Sequence, residues 1–559
     1  MKFSSLAPYA VATAFNGVLV ADRLYDFSYD ASTHIFFASH YRTEWFSLWD
    51  TRWYGGFSVA GYSPLSQQLM ALLSYISGLD LSFGILLIVA LVFLIWSFQK
   101  LASTLGLRSA VLPWLLAFVP GLYLFMYSFG QLPALLATAF GVAAAAYLSL
   151  YVEKGGWRLL ALSALLASLS FFTHFLVCAL LVPLILVVAL SRAHGLRSLR
   201  RIVTWGVIVA AISAPILIQI INFVMTTPSQ ATIPHPTRGD VLVGPSSGAF
   251  FWSIYGPVIV LAPISFMVLL QERKRTMAAL TAAYLVFGLG GTTPIPRLLL
   301  GSYVYDILTF EKFSLWACLL LTIPLAYYLE HGLLRDFGRR AKILKHSVLL
   351  SFVVASLLVL VLTATVSSQP PPPNLQGISS YLNAQTGDGF YITLGLGTWS
   401  RTLSVMTSKP TLDGGYNTAR RIPLLAESGV ETIDSAKFFP GGFELVGEVL
   451  KGNYGIRWVV LGDNVYEPYL IANGFTEVQE VAGALPVSVW TRGGYEEGFK
   501  ETMVVKDETS YVWGLLPITA LALAALVAVR KPKAITPVIL TADDTEPTGR
   551  QAYSRTPSP

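Results

Sequence analysis

An acid and two histidines lie directly after the first apolar segment of the chain, in the stretch SYDASTHIFFASHY (28–41). If this stretch is helical, Asp30 and His34 are four residues apart on one face, so that an acid and an imidazole face the same cavity. Such a pair has the groups that move a proton to or from a bound molecule. The alternative is that Asp30 only caps a surface helix and that His34 is solvated.

The same loop continues with a dense aromatic run, EWFSLWDTRWYGGFSVAGYSPL (44–65). Its charged pair, Asp50 and Arg52, and its rings, Trp53 and Tyr54, are candidates for substrate binding, because aromatic rings stack on sugar faces. Aromatic residues at a membrane surface also simply anchor helices, and this alternative stays open. The Gly-Gly turn and the following proline predict a loop that folds back onto the membrane, followed by an amphipathic helix in the interface.

Other ionisable residues lie at the ends of apolar segments. His174 in FFTHF is a secondary candidate, since a lone histidine there can equally be an interface residue. Arg297 in TTPIPRLLLG and Lys312 in TFEKFS are cations that could hold a phosphate, although ordinary snorkelling also explains them. Glu311 is expected to pair with one of these two cations.

The composition is that of an integral membrane protein. Of 559 residues, 54% are hydrophobic and 13% are charged, and the mean hydropathy is +0.60. The net charge of +6 could suggest nucleic acid, but the lysines and arginines cluster in short loops between apolar runs. We therefore interpret these basic clusters as signals of membrane topology and expect no nucleic-acid partner. The two cysteines, Cys178 and Cys318, lie in apolar runs, which argues against a disulfide framework.

About twelve apolar segments have the length of a membrane-spanning helix. They are 5–21, 79–99, 110–127, 132–151, 158–174, 175–191, 202–224, 251–270, 276–291, 313–330, 347–366 and 512–529. When they alternate across the membrane, the basic loops fall on one side, which the positive-inside rule makes cytoplasmic together with both termini. The first segment could instead be a cleaved signal peptide. Three long regions then lie outside the cytoplasm: 22–78, 225–250 with 292–312, and 367–511.

The expected fold class is an all-α polytopic membrane protein with a small α/β domain before its last helix. A transmembrane domain (1–366) is followed by the polyproline spacer SSQPPPPN and the extracytoplasmic domain (367–511). Strand-like runs, GFYITLGLG, IRWVVLGDN and LPVSVWTRG, alternate there with helical ones. The last helix (512–529) precedes a tail (530–559) rich in Thr, Pro and Ser, which we expect to be disordered.

The motifs DASTH, WYGGFSVAGYSPL, FGQLPALLATAFG, FTHF and TFEKF, in this order, occupy residues on one predicted side of the membrane. Through these motifs, residues 1–370 resemble the C-type (GT-C) membrane glycosyltransferases. The resemblance is to the prokaryotic proteins with a domain related to 6-pyruvoyl-tetrahydropterin synthase in particular. The resemblance implies transfer of a sugar from a polyprenyl-phosphate donor, with Asp30 as catalytic base. WWDYG, the oligosaccharyltransferase sequence, is absent, which argues against transfer of a whole oligosaccharide to asparagine.

The sequence therefore predicts an enzyme of the cell membrane that glycosylates a lipid, glycan or protein acceptor outside the cytoplasm. Asp30 would deprotonate the acceptor, and His34 would hold Asp30 or the phosphate. A single displacement would invert the anomeric centre. We expect no cofactor, although Asp30 and Asp50 could share a divalent ion. The partners are the lipid-linked sugar and membrane lipids; protein partners are not indicated.

Two other classes of function stay open at this point. A transporter or lipid flippase needs polar groups at mid-membrane, and the predicted spans have no charged residue near their centres. A sensor could use the 367–511 domain to bind a ligand, but it would leave the acid and histidines of the first loop without a purpose.

Overall fold

The computed structural model describes residues 6–366, 369–493 and 510–529. The tail that the sequence predicts to be disordered, 530–559, lies outside the described residues.

Helical structure occurs at each of the twelve predicted apolar segments, because a chain in hydrocarbon must satisfy its backbone hydrogen bonds internally. The helices of this first part are α1 (Ala7–Ala21), α2 (Ala31–Thr43), α3 (Leu65–Ser77), α4 (Leu79–Leu105), α5 (Leu112–Ala117), α6 (Pro120–Tyr123), α7 (Leu132–Lys154), α8 (Trp157–Thr173), α9 (Phe175–Leu190), α10 (Gly195–Thr226), α11 (Pro245–Tyr255), α12 (Pro257–Gln271), α13 (Arg275–Gly288), α14 (Ile295–Ile307), α15 (Glu311–Tyr327), α16 (Leu333–Phe337) and α17 (Ala341–Thr365). The later helices are α18 (Leu375–Ala384), α19 (Trp399–Met406), α20 (Pro423–Glu427), α21 (Gly442–Lys451), α22 (Glu467–Ala472) and α23 (Ser510–Val529).

Within the described residues, 6 helices are long and apolar enough to cross a membrane. They are 79–105, 132–154, 195–226, 311–332, 335–365 and 510–529. Helices α11 and α12 form a pair bent by 53°, which makes a seventh span if counted as one. The bend falls at Gly256, whose φ of 47° is not helical, and at the following Pro257. Shorter apolar helices occupy four further predicted segments, so the count of twelve crossings stays a prediction.

Helix α7 is the centre of the helical part. It packs against α4, α8 and α9, and its alanines at 143–146 are fully buried. Small side chains let neighbouring helices approach closely, which is how helices associate where lipid and protein are equally apolar. One end of this bundle forms the floor of the cavity described below.

The α/β part contains a four-stranded sheet in the order β3-β4-β6-β5, after a two-stranded ribbon of β1 (Trp49–Asp50) and β2 (Phe57–Ser58) in the first loop. Its strands are β3 (Phe390–Leu394), β4 (Ile456–Leu461), β5 (Thr476–Val481) and β6 (Val487–Thr491). Strands β3 and β4 are parallel, and the other pairs are antiparallel. The three predicted strand runs are β3, β4 and β6, whereas β5 was not predicted.

Candidate active site

A cavity of about 1510 Å³ lies between the ends of the membrane helices and the α/β domain. Its wall contains residues from all three regions that the sequence predicts on one side of the membrane. Five predicted site residues line it together: Asp30, His34, His174, Glu311 and Lys312. The α/β domain adds charged residues that sequence reasoning did not single out: Arg401, Arg420, Glu431, Asp434 and Lys437.

Asp30 immediately precedes helix α2, but its side chain does not cap that helix. Its carboxylate instead accepts a hydrogen bond from the side-chain amide of Gln131 through Oδ2. The backbone N–H groups of Tyr29 and Asp30 donate to the carbonyl oxygens of Ser128 and Phe129, at 2.9 and 3.0 Å. The carboxylate is therefore held by the segment before α7, on the cavity wall, and is not used to terminate a helix.

A glycine makes this contact possible. Gly130 has a φ of +71°, and a Cβ there would lie 2.7 Å from the backbone nitrogen of Ala31. The preceding turn, Leu124–Ser128, is π-helical, an irregularity that re-aims the chain at functional sites. Only glycine allows both the left-handed conformation and the close approach, which explains the FGQ part of the motif at 129–131.

The ionisation of Asp30 depends on several charges facing the cavity. Burial raises the pKa of Asp30 to about 6; the positive charges of Arg401 and Lys312 oppose this shift, and the carboxylates of Glu431 and Glu311 add to it. The carboxylate is thus a stronger base than an ordinary aspartate and is still mostly ionised at neutral pH.

His34 lines the same cavity without a hydrogen bond to Asp30. Its Nδ1 lies 3.3 Å from the amide nitrogen of Gln67, whose oxygen is occupied by Ser66. The amide therefore donates, Nδ1 accepts, and Nε2 carries the proton of the neutral ring. Burial, reinforced by Arg401, lowers the pKa of His34 to about 3. His34 is thus a neutral hydrogen-bonding group, not a cation for phosphate.

His174 and Tyr62 extend this neutral surface. Tyr62 lies between the two histidines, with its ring centroid 5.7 Å from that of His34 and 6.0 Å from that of His174. Nδ1 of His174 accepts a hydrogen bond from the backbone of Val177 at the start of α9. The three rings form an aromatic wall near the carboxylate.

Glu311 pairs with Lys312, as the sequence suggested for one of the two cations. The Nζ of Lys312 lies 2.9 Å from Oε1 of Glu311 and 2.8 Å from the hydroxyl of Thr309. Oε2 of Glu311 is buried and has no hydrogen-bond partner. Because buried acceptors are almost always satisfied, this oxygen is suited to receive a hydrogen bond from a bound molecule.

The other candidates from the first loop do not line the cavity. Asp50 forms buried ion pairs with His40 at 3.0 Å and with Arg52 at 2.6 Å. Burial opposes its ionisation, but these hydrogen bonds outweigh burial and hold the pKa of Asp50 well below its usual range. Asp50 and Asp30 therefore do not form a shared cation site.

The two aromatic candidates join the first loop to the α/β domain. The ring of Trp53 stacks on Phe36 with centroids 3.5 Å apart, and its indole N–H donates to Ser404 Oγ at 2.7 Å. The hydroxyl of Tyr54 donates to the carbonyl of Tyr416 at 2.9 Å. Both rings are at most 1% exposed, so neither offers a face to a sugar.

Arg297 is exposed on α14 and does not line the cavity. Its guanidinium lies 5.8 Å from the ring of Tyr305, and its Nε lies 3.4 Å from the hydroxyl of Ser302. Lys312 thus lines the same cavity as Asp30, whereas Arg297 lies outside it.

No family model matches the sequence, and no curated protein matches it. Several solved structures share its fold, including the following two. The arabinofuranosyltransferase AftD from Mycobacteria has a TM-score of 0.56 and 15% identity, over 88% of this chain and 40% of AftD. ArnT from Cupriavidus metallidurans in the apo state has a TM-score of 0.53 and 12% identity, over 85% of this chain and 97% of ArnT. The chain has the fold of the GT-C membrane glycosyltransferases.

This likeness confirms, at the level of the fold, the resemblance predicted from the sequence. Together with the apolar helices, it also confirms the prediction of a multi-pass membrane protein. The chain spans about two fifths of the length of AftD and nearly all of ArnT.

Proposed function

We propose that this protein is a membrane glycosyltransferase that moves a sugar from a polyprenyl-phosphate donor to an acceptor hydroxyl on the cavity side of the membrane. The observation that carries the proposal is the carboxylate of Asp30, held by Gln131 on the wall of a large cavity between apolar helices and a polar domain. The fold shared with AftD and ArnT supports the same class of reaction.

The cavity also suits a donor with a lipid chain. Apolar side chains on one side of it belong to α17 and to the end of α14, and several are exposed on the outer surface: Leu362, Val366 and Ile307. Such residues form an opening towards the surrounding lipid, through which an apolar chain can lie while its head group enters the cavity. The opposite side is lined by the α/β domain, from which a polar acceptor can enter.

The chemistry follows from the groups around Asp30. The acceptor oxygen attacks the anomeric carbon and gives its proton to the Asp30 carboxylate. The bond from the anomeric carbon to the phosphate oxygen breaks, and its electron pair leaves with the phosphate, whose charge Lys312 stabilises. Because attack and departure occur in one displacement, the configuration of the anomeric centre is inverted.

Polar and aromatic groups of the cavity fit recognition of a sugar. Oε2 of Glu311 can accept a hydrogen bond from a sugar hydroxyl, and the imidazole Nε2–H of His34 can donate one. Tyr62, between the histidines, adds an aromatic face.

The decisive experiment compares two conservative variants of the same loop, Asp30→Asn and Asp26→Asn. The purified proteins are assayed for transfer of labelled sugar from a lipid-linked donor to membrane extract. Asp26 pairs with Arg23 outside the cavity, so its loss should leave turnover near wild type. We expect Asp30→Asn to lose about 10²- to 10⁴-fold in turnover with unchanged monodispersity. An Asp30→Asn protein with most of its turnover would remove Asp30 from the mechanism.

A further inference from the structure

Arg401 is a buried arginine of the α/β domain that reaches the first loop. It lies in the first turn of α19, a helix that packs against α2, and is only 6% exposed. Its Nη1 donates to the carbonyl oxygen of Tyr29 at 2.5 Å, and its guanidinium lies 5.2 Å from the Tyr29 ring centroid. The domain therefore delivers a permanent positive charge next to the residue that precedes Asp30.

This charge lacks a contacting carboxylate among the described residues. Of its five side-chain N–H donors, one is used by a hydrogen bond to a described residue, the bond to the Tyr29 carbonyl. The carboxylates of Glu431 and Asp30 act on this charge through space, but neither forms an ion pair with it among the described residues. A buried cation is stabilised further when a bound ligand supplies a contacting anion. Arg401 lines the cavity, so its remaining donors can meet a molecule bound there.

Other cations of the cavity are already engaged. Lys312 pairs with Glu311 and Lys437 with Asp463. Arg420 donates to the side chain of Gln230 and to backbone carbonyls.

Arg238 likewise donates to two backbone carbonyls. The geometry therefore leaves the guanidinium of Arg401 as the group most available to an anion beside Asp30.

We infer that Arg401 binds the phosphate of the lipid donor, so that the α/β domain forms part of the donor site. A planar guanidinium matches phosphate oxygens with two parallel hydrogen bonds, which an ammonium group cannot make. This inference rests on the proposed function for the class of donor. It gives the domain a direct role in binding the leaving group, for which the sequence had suggested Arg297 and Lys312.

Binding of undecaprenyl phosphate and of undecaprenol, its uncharged alcohol, to purified protein in nanodiscs tests the inference without sugar or acceptor. We expect wild type to bind the phosphate more tightly than the alcohol. Arg401→Gln should weaken binding of the phosphate by about 10-fold or more and leave binding of the alcohol unchanged. Arg401→Lys, which keeps the charge but not the fork, should fall between them.

Arg457→Gln is the matched control, because Arg457 belongs to the same domain and has similar local contacts. Its guanidinium lies 5.0 Å from the Trp458 ring centroid, and its Nη1 donates to the carbonyl of Thr386 at 3.0 Å, outside the cavity. It should bind both lipids as wild type does. The melting temperature of each variant is measured as well. Loss of the contact between the domain and Tyr29 should lower it, whereas loss of phosphate binding alone should not.

The outcomes are distinguishable. If wild type prefers the phosphate and both Arg401 variants keep that preference, Arg401 is not the phosphate ligand, and the donor class stands. If wild type binds alcohol and phosphate equally, the polyprenyl-phosphate donor itself is rejected. If Arg401→Gln does not remain folded, Arg401→Lys decides: wild-type affinity for the phosphate in this variant overturns the role of the fork.

Discussion

The side-chain amide of Gln131 donates a hydrogen bond to the carboxylate of Asp30 across 101 residues of sequence. The two residues come from the turn before α7 and the turn before α2. Beside them, the backbone N–H groups of Tyr29 and Asp30 donate to the carbonyl oxygens of Ser128 and Phe129. The position of the proposed base is therefore set by the helical bundle, whereas its ionisation also depends on charges from the α/β domain.

The raised pKa of Asp30 predicts an acid limb in the pH profile of the reaction. Because the carboxyl keeps its proton up to about pH 6, it cannot accept one below that value, and kcat/KM should rise as pH increases through about 6. The measurement is kcat/KM for sugar transfer at a series of pH values from about 4.5 to 8, the interval in which carboxyl bases in proteins usually titrate. Asp26→Asn should keep the same limb. A limb near pH 4 would mean that the base is an unperturbed carboxylate.

Replacing Gln131 by glutamate should move that limb. Gln131→Glu removes a donor from the ionised form of Asp30 and adds a like charge, and both changes favour the protonated acid. We expect the acid limb to move up by about one pH unit or more, and turnover near pH 7 to fall. Gln131→Leu, which loses the hydrogen bond without adding charge, should move the limb less. Identical limbs in the three proteins would show that this contact does not control the base.

Removing the carboxylate of Asp50 should destabilise the protein. Asp50→Asn leaves Arg52 and His40 without their buried anion, and breaking such a pair costs about 3 kcal/mol or more. The melting temperature in detergent measures the effect. Asp26→Asn, which breaks an ion pair whose Arg23 side chain is exposed, should cost less than about 1 kcal/mol. Equal melting temperatures for the two variants would contradict a structural role for Asp50.

Lys312 should matter more to the reaction than Arg297. The sequence suggested both cations for the phosphate, and an arginine fork binds phosphate better than a point charge does. Lys312, however, lines the cavity, whereas Arg297 is exposed outside it. We expect Lys312→Ala to lower kcat/KM by about 10-fold or more and Lys312→Arg to recover part of the loss. Arg297→Ala should stay within about twofold of wild type. A larger loss in Arg297→Ala would return that residue to the donor site.

The sequence was most informative where one local pattern decides the structure. Long apolar runs predict helices, and the largely buried strands β3, β4 and β6 are rich in β-branched and aromatic residues between turn residues. Strand β5 escaped prediction because it is an edge strand with exposed charges, Glu477 and Glu480. Edge strands carry charges to prevent pairing with other chains, which makes them resemble loops.

The candidate site was predictable only within single loops. Asp30, His34, His174 and Lys312 stand out by residue type next to apolar segments, and they meet in one cavity. Arg401 lies in TWSRTL, a stretch without any local sign of function, and contacts Tyr29 across 372 residues. Such a contact depends on how the α/β domain docks on the bundle, which no periodicity in the sequence encodes.

The contact between Trp53 and Ser404, 351 residues apart, also constrains biosynthesis. A ribosome that adds about 5 to 20 residues per second needs roughly 20 to 70 s to make the partner of Trp53 after the first loop has emerged. During that interval the indole N–H of Trp53 lacks its Ser404 acceptor, although the ring can already stack on Phe36. The cavity around Asp30 also lacks the wall that the α/β domain supplies. Transfer activity should therefore begin only when the α/β domain has been translocated, and premature termination before Ser404 would give an inserted but inactive membrane protein.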